Sequence, residues 1–199
     1  MSTIIPENPH DVWNGVPPPG EPLGGVRDLD AASHLPLFLS CIAATTGPVL
    51  EIGVGFHSTP LIHALLRHLG RPFVSAESNL YWLEVFKRDY TYAGDGQPGD
   101  AASGFSHRFV VDDLATLSEL ANTRWGVVLV DDSPGWPRCE NVRIFLPVAD
   151  YIVVHDAQGP DIMEPMAEVV AAAPYKTLHK RYFPWTFAVS NTRPIPAVV

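Results

Sequence analysis

The sequence predicts an α/β fold in which a mostly parallel sheet lies between two helical layers, and three observations carry that expectation. Five short runs rich in Val, Ile and Leu recur along the chain, at 48–52, 72–77, 107–111, 125–130 and 151–155. Helical patterns separate them, and strands covered on both faces read as such continuous apolar runs. Polar residues, almost all acidic, gather where each run ends: Glu51 with Gly53 and Gly55, Glu77, Asp112 and Asp113, Asp131 and Asp132, then His155 and Asp156. In a parallel sheet, ligands bind outside those carboxyl ends, near the point where strand order reverses.

The elements follow in order. Residues 1–25 hold "PENPHDVWNGVPPPGEPLGG", too rich in breakers for a helix or central strand, and read as an extended arm before a single domain at 26–199. Asp28 or Asp30 is placed to cap a helix running through "LDAASHLPLFLSCIAATTG", with Leu35, Phe38 and Ile42 on one face and Pro36 in an early turn. The first strand at 48–52 passes through "GVG" into a helix at 59–69, where Ser58 and Thr59 offer a hydroxyl cap and Pro60 suits the first turn. Strand 72–77 and helix 80–89 come next, then a loop rich in Gly, Asp, Ser and Ala. Strand 107–111, helix "LATLSELAN", strand 125–130, a helix around 138–146 and strand 151–155 continue the alternation. After the helix "DIMEPMAEVVAAA", the tail "YKTLHKRYFPWTFAVSN" reads as two strands around Phe183-Pro184, which brings the sheet to about seven.

Bulk properties narrow the partners. The 199 residues are enough for one well-cored domain, and 46% hydrophobic with 18% charged residues is a globular composition. A net charge of −9 argues against a general nucleic-acid binder, which needs clustered Lys and Arg. Cys41 and Cys139 form no CxxC pair and read as buried or half-buried thiols. The N-terminus lacks the basic and apolar regions of a signal peptide, and no apolar run approaches the roughly 20 residues of a membrane span. A soluble cytoplasmic protein with no membrane partner is expected.

The stretch "VLEIGVGFHSTP" sets a strand, a glycine turn and a helix start in succession, bringing backbone N–H groups toward a ligand. A dinucleotide-binding turn needs G-x-G-x-x-G, but Ser58 stands at the third glycine position, and the chain carries no phosphate-binding lysine motif. S-adenosylmethionine instead presents a sulfonium, an ammonium group and a ribose diol, all suited to carboxylates. "VLEIGVGFHST" resembles the first motif of the class I S-adenosylmethionine-dependent methyltransferases, E/D-x-G-x-G followed by a small residue. The match continues in order through Glu77, Asp112 and Asp113, "VVLVDD" and "YIVVHD", and the tail resembles the antiparallel hairpin closing their Rossmann-like three-layer sandwich, over about residues 30–191. "STPLIHALL", "DDSPGWPR", "IVVHDA" and "PWTFAVSN" also resemble small bacterial methyltransferase-like proteins with D-H-x-P-G-E-R-R. Here Asp132 replaces the His and Trp136-Pro137 replace Glu-Arg.

The resemblance implies S-adenosylmethionine as cofactor and a seven-stranded sheet with a C-terminal antiparallel hairpin. Gly53 and Gly55 would admit the methionine part, with Glu51 beneath it ordering the ammonium group. His57 and Ser58 in the turn would reach the ligand. Glu77, followed by Ser78, would take the ribose hydroxyls, and Asp112 or Asp113 the adenine amino group, the other capping the next helix. Asp131 borders both cofactor and acceptor.

For the chemistry, Asp131, Asp132, His155 and Asp156 converge from neighbouring strands. His155 has the reference pKa of a general base near neutral pH, or is a packed histidine at a strand end. Asp131, Asp132 and Asp156 could instead hold Mg²⁺. His63 and His68 read as packing or solvated residues. Trp13, Trp136 and Trp185 are candidates for lining an acceptor pocket, and the arm 1–25 for a lid over it. The expected activity is methylation of a small-molecule or sugar hydroxyl. Two alternatives stand beside it: a non-catalytic cofactor-binding or scaffold protein on the same fold, and an NAD-binding Rossmann protein.

Overall fold

Seven strands in the order β3-β2-β1-β4-β5-β7-β6 form one sheet in the computed structural model, which describes residues 32–91, 104–132, 135, 137–158 and 160–198. The strands are β1 (Val49–Ile52), β2 (Pro72–Glu77), β3 (Ser106–Val111), β4 (Trp125–Val130), β5 (Ala149–Val154), β6 (Tyr175–His179) and β7 (Thr186–Ser190). The helices among the described residues are α1 (Leu35–Ala43), α2 (Thr59–Leu69), α3 (Leu80–Thr91), α4 (Leu114–Leu120), α5 (Arg138–Phe145) and α6 (Pro160–Val169). The first five strands are parallel; β7 runs antiparallel to β5 and pairs with β6 as the expected hairpin.

Period-two alternation sorts the strand residues onto two faces. Leu50, Ile52, Val128, Val130, Ile152 and Val154 pack against Leu117, Val142, Phe145 and Met166 of α4–α6. Val49, Val127, Leu129 and Val153 pack against Leu37, Phe38, Ile42, Ile62 and Leu66 of α1 and α2. All six residues of β4 are buried, which is why that strand reads as an unbroken apolar run. Side chains just past a strand end inherit this alternation. Glu51, Asp131 and His155 therefore share the α1–α2 face and Asp132 turns toward the other, while the positive φ of Asp156 takes it out of the alternation.

Strand order reverses between β1 and β4, paired from Val49↔Val127 to Ile52↔Val130, so the switch point lies over Glu51, Gly53 and Asp131. Two local expectations are corrected. Helix α1 begins at Leu35, later than the sequence pattern suggested, with Pro36 in its first turn. Ser58 precedes α2 with helical backbone angles (φ −84°, ψ −60°) and makes no capping hydrogen bond, because its buried hydroxyl turns to Glu51. Asp28, Asp30, the arm 1–25 with Trp13, and Trp136 lie outside the described residues.

Candidate functional site

The turn after β1 is set by Glu51, which is fully buried. Its Oε2 accepts from Thr59 Oγ1 at 2.9 Å and Ser75 Oγ at 2.8 Å. Thr59 Oγ1 in turn accepts from the Gly55 N–H at 3.0 Å, so the carboxyl fixes the turn through one hydroxyl. Behind it, Ser75 meets His107 Nε2 at 2.9 Å, and His107 Nδ1 meets His63 Nδ1 at 2.9 Å. Burial pushes the Glu51 carboxyl up to about 8, against the pull of the Ser58, Ser75 and Thr59 hydroxyls. Its other oxygen, Oε1, has no hydrogen bond at ordinary distance among the described residues.

The two glycines do different things. A Cβ on Gly53 would sit 2.5 Å from the Asp131 carbonyl oxygen and 2.7 Å from the Asp132 nitrogen, and its φ is +90°. Gly53 is therefore dictated by the end of β4, with no ligand needed to explain it. At Gly55 a Cβ would meet only Ser58 Oγ, at 3.4 Å, so this residue has room on its open side.

Glu77 closes the far side of the turn. Its Oε2 accepts from the Val54 N–H at 3.0 Å and its Oε1 from the Asn79 N–H at 2.7 Å. Burial raises its pKa against these backbone donors, which include Ser78. The Ser78 residue itself is exposed. Past β3, Asp113 caps α4 by accepting from the Thr116 N–H at 2.8 Å. Asp112 makes no side-chain hydrogen bond among the described residues, and burial, with Asp113 beside it, raises its pKa. The choice that the sequence left open between these neighbours is settled for the cap.

At the ends of β4 and β5 stands a second cluster. Asp131 Oδ1 lies 3.0 Å from His155 Nδ1, and His155 Nε2 lies 2.9 Å from Ser33 Oγ. Ser33 gives its single proton to the Pro184 carbonyl at 2.7 Å, so it must accept from His155. Burial disfavours charge on both partners. Yet the Asp131 pKa falls under His155, His34 and Arg138, and the His155 pKa rises because Asp131 outweighs its burial. A carboxylate on one nitrogen and an accepting hydroxyl on the other make His155 an imidazolium, with neither nitrogen free to take a proton. This is not the geometry expected of a general base.

Arg138, at the start of α5 and nearly buried, binds the two strand ends together. It donates from Nε and Nη2 to the Asp132 carbonyl (3.1 and 3.0 Å) and from Nη1 to the His155 carbonyl (2.8 Å). It also approaches all three carboxylates: Asp131 at 3.4 Å, Asp132 at 3.9 Å and Asp156 at 3.5 Å. The guanidinium thus stands among the groups expected to share Mg²⁺, and their oxygens do not gather within ligand distance of one another. Among the described residues, the side chains that do gather are His34, Asp131 and His155. Asp132 is buried with Oδ1 accepting no hydrogen bond among the described residues, and desolvation pushes its carboxyl up to about 7 despite Arg138.

Of the expected residues, Glu51, Gly53, Gly55, Ser58 and Glu77 form one group, and Asp131, Asp132, His155 and Asp156 the other. His57 is half-buried and near enough to His34 to act on its charge. Trp185 packs in the hairpin turn beneath Lys180 Nζ, 4.3 Å from the ring centroid. Ser33, His34 and Arg138 were missed. Arg138 carried a signal, since a cation in the first turn of a helix opposes the macrodipole unless acids surround it. His34 and Ser33 meet residues over 120 positions away, and no spacing rule reaches that far.

No family model matches the chain, and no curated protein matches it in sequence. Solved structures do. A methyltransferase from Podospora anserina, PaMTH1, crystallised with S-adenosylhomocysteine, aligns over 78% of this chain and 76% of its own at 12% identity and a TM-score of 0.55. Human methyltransferase-like protein 13, also with S-adenosylhomocysteine, aligns over 85% and 83% at 14% identity and a TM-score of 0.54. WbdD aligns at 15% identity and a TM-score of 0.51 over 85% of this chain, which spans only 41% of WbdD. Together with strand order and hairpin, these likenesses show that the chain has the class I S-adenosylmethionine-dependent methyltransferase fold.

Proposed function

We propose that the protein is an S-adenosylmethionine-dependent methyltransferase that methylates a hydroxyl of a small molecule or sugar. The observation that carries this reading is Glu77, its carboxylate held beside the glycine turn by the backbone N–H groups of Val54, Asn79 and Ser78. A carboxylate so fixed keeps its remaining lone pairs for a diol. Asp112 remains available for an exocyclic amine, Gly55 leaves the turn open, and no lysine-bearing phosphate cradle competes. The residues present therefore suit a phosphate-free nucleoside cofactor, and S-adenosylhomocysteine is what PaMTH1 and methyltransferase-like protein 13 were crystallised with.

S-adenosylmethionine, when bound, supplies a methyl group on an activated sulfonium for in-line displacement. The chain's part is alignment and removal of one proton. Glu51 acts through Thr59, fixing the turn. Arg138 and the Asp131–His155 pair hold the ends of β4 and β5 in register. We assign the hydroxyl's proton to Asp132, whose buried Oδ1 accepts no hydrogen bond among the described residues and whose carboxyl, at about 7, divides between its two forms near neutral pH. Asp156, half-buried beside it, borders the acceptor.

Methyl transfer to a panel of phenolic and sugar hydroxyls tests this. Turnover is expected to rise with pH through about 7 and then level. Asp132→Asn is expected to lower kcat by about 10²–10⁴ with S-adenosylhomocysteine affinity nearly unchanged. An unchanged kcat in that variant would remove Asp132 from the chemistry, and transfer to amines alone would overturn the hydroxyl assignment.

A further inference from the structure

The residues just before α1 and at the ends of β4 and β5 bring two histidines and a carboxylate together inside the protein. One atom each from His34, Asp131 and His155 lies within 4.8 Å of the others. His34 is only 1% exposed, and neither ring nitrogen has a hydrogen-bond partner among the described residues. An imidazole buried with both nitrogens unmet is costly, and such a group calls for a ligand. Its ring faces that of His155 with centroids 4.4 Å apart, so the unmet nitrogens belong to the same cluster.

We propose that His34, Asp131 and His155 form a binding site for a first-row transition metal of the Zn²⁺ type. Two imidazoles and one carboxylate, with a position left open, are a donor set such ions accept, whereas Mg²⁺ prefers oxygen alone. Bonds of about 2 Å would set the three donor atoms roughly 3.3 Å apart; Asp131 Oδ1 and His155 Nδ1 already lie 3.0 Å apart, so the closure falls on His34. The supporting groups are already in place. His155 Nε2 donates to Ser33 Oγ, which donates to the Pro184 carbonyl, the arrangement that orients a histidine for ligation through its other nitrogen. Arg138 Nη2 lies 3.4 Å from Asp131 Oδ1 and helps to position that carboxylate.

The proton balance is simple. The metal ion takes the place of the Nδ1 proton that His155 now gives to Asp131, and one proton is released to solvent. His34 needs to lose none, since burial has pushed its pKa down to about 3 and left it neutral. The donor set, two imidazoles with Asp131, is distinct from the Asp131, Asp132 and Asp156 arrangement considered from sequence for Mg²⁺, although Asp156 Oδ1 stands 3.9 Å from His155 Nε2.

The test is a Co²⁺ titration of the full chain carrying no affinity tag, after chelator treatment and without any nucleoside, read by visible ligand-field absorption. Stoichiometric binding is expected, with the spectrum abolished by Zn²⁺ and Zn²⁺ raising Tm. His34→Ala and the milder His34→Gln are expected to weaken Co²⁺ at least tenfold, while His68→Ala, at an exposed position, leaves binding intact. Circular dichroism of each variant confirms that it folds; should His34→Ala unfold, His34→Gln and the Zn²⁺ effect on wild-type Tm decide. Absent absorption, or equal binding by a folded His34 variant, would overturn the site. Because no nucleoside is present, a chain that binds Co²⁺ here but not S-adenosylhomocysteine would keep the metal site and lose the methyltransferase reading.

Discussion

The two edges of the same sheet treat buried polar groups in opposite ways. At the amino edge, Arg71 is nearly buried and saturated: it donates to the carbonyls of Ile42 (2.8 Å), Thr45 (3.0 Å) and Gly47 (2.9 Å) and to the Thr45 hydroxyl (3.1 Å). Trp125 Nε1 beside it reaches the Leu120 carbonyl at 3.0 Å. At the carboxyl edge, Glu51 Oε1, Asp132 Oδ1 and both nitrogens of His34 are buried with no hydrogen-bond partner at ordinary distance among the described residues. Each such group costs about 1–3 kcal/mol. One edge is built for stability alone. The other keeps polar groups that only a ligand or a proton completes, and it lies where α/β sheets bind ligands.

Arg71→Met should produce the largest effect. It removes the side-chain donor from the Thr45 and Gly47 carbonyls and one of the donors to the Ile42 carbonyl, and we expect about 3–5 kcal/mol lost in denaturant unfolding. Affinity for S-adenosylhomocysteine in the folded fraction should not change. A fall in affinity would show that the two edges are coupled.

Glu51 gives the next effect, through pH. Its folded pKa, about 8, lies above the unfolded 4.5, so the folded state keeps a proton that the unfolded chain releases. Stability must therefore fall as pH rises from 4.5 to 8, by up to about 4 kcal/mol from this group. Asp132, raised to about 7 from 3.8, acts in the same direction. His155, raised from 6.5, adds stability that is present below 6.5 and lost as pH climbs through its folded value. Glu51→Gln is expected to flatten much of the decline in unfolding free energy between pH 5 and 8. His34 and His107, held neutral by burial down to about 3, pull the other way only below pH 6.5, so a wild type that gains stability between pH 6.5 and 8 would contradict the protonation states assigned to this edge.

The smallest effects separate two neighbours. Asp113→Ala removes the cap of α4 and should lower Tm slightly with cofactor affinity unchanged. Asp112→Ala should do the reverse, weakening S-adenosylhomocysteine by about 1 kcal/mol while Tm holds. Exchange of those two outcomes would move the adenine contact to Asp113.

The same contrast explains what was legible in the sequence. Strands β2 and β4 begin and end where the apolar runs do, because burial on both faces writes itself into consecutive residues. The hairpin, the glycine turn and the acids at the strand ends follow from local pattern as well. The protonation of His155 was not legible, for it depends on where Ser33 sends its hydroxyl proton, 122 residues away. Nor was the isolation of His34, since a histidine beside a helix start reads like any packing residue. Gly53 was legible as a constraint but not in its cause: the Asp131–Asp132 backbone, not a ligand, fills the space beside it.

The most direct test of the central claim is calorimetric titration of the chain with S-adenosylhomocysteine and, separately, with NAD, repeated on Glu77→Ala. Binding of S-adenosylhomocysteine alone is expected, weakened by about 1.5–3 kcal/mol when Glu77 is removed. Binding of NAD alone, or S-adenosylhomocysteine affinity indifferent to Glu77, would contradict a nucleoside cofactor held at the end of β2.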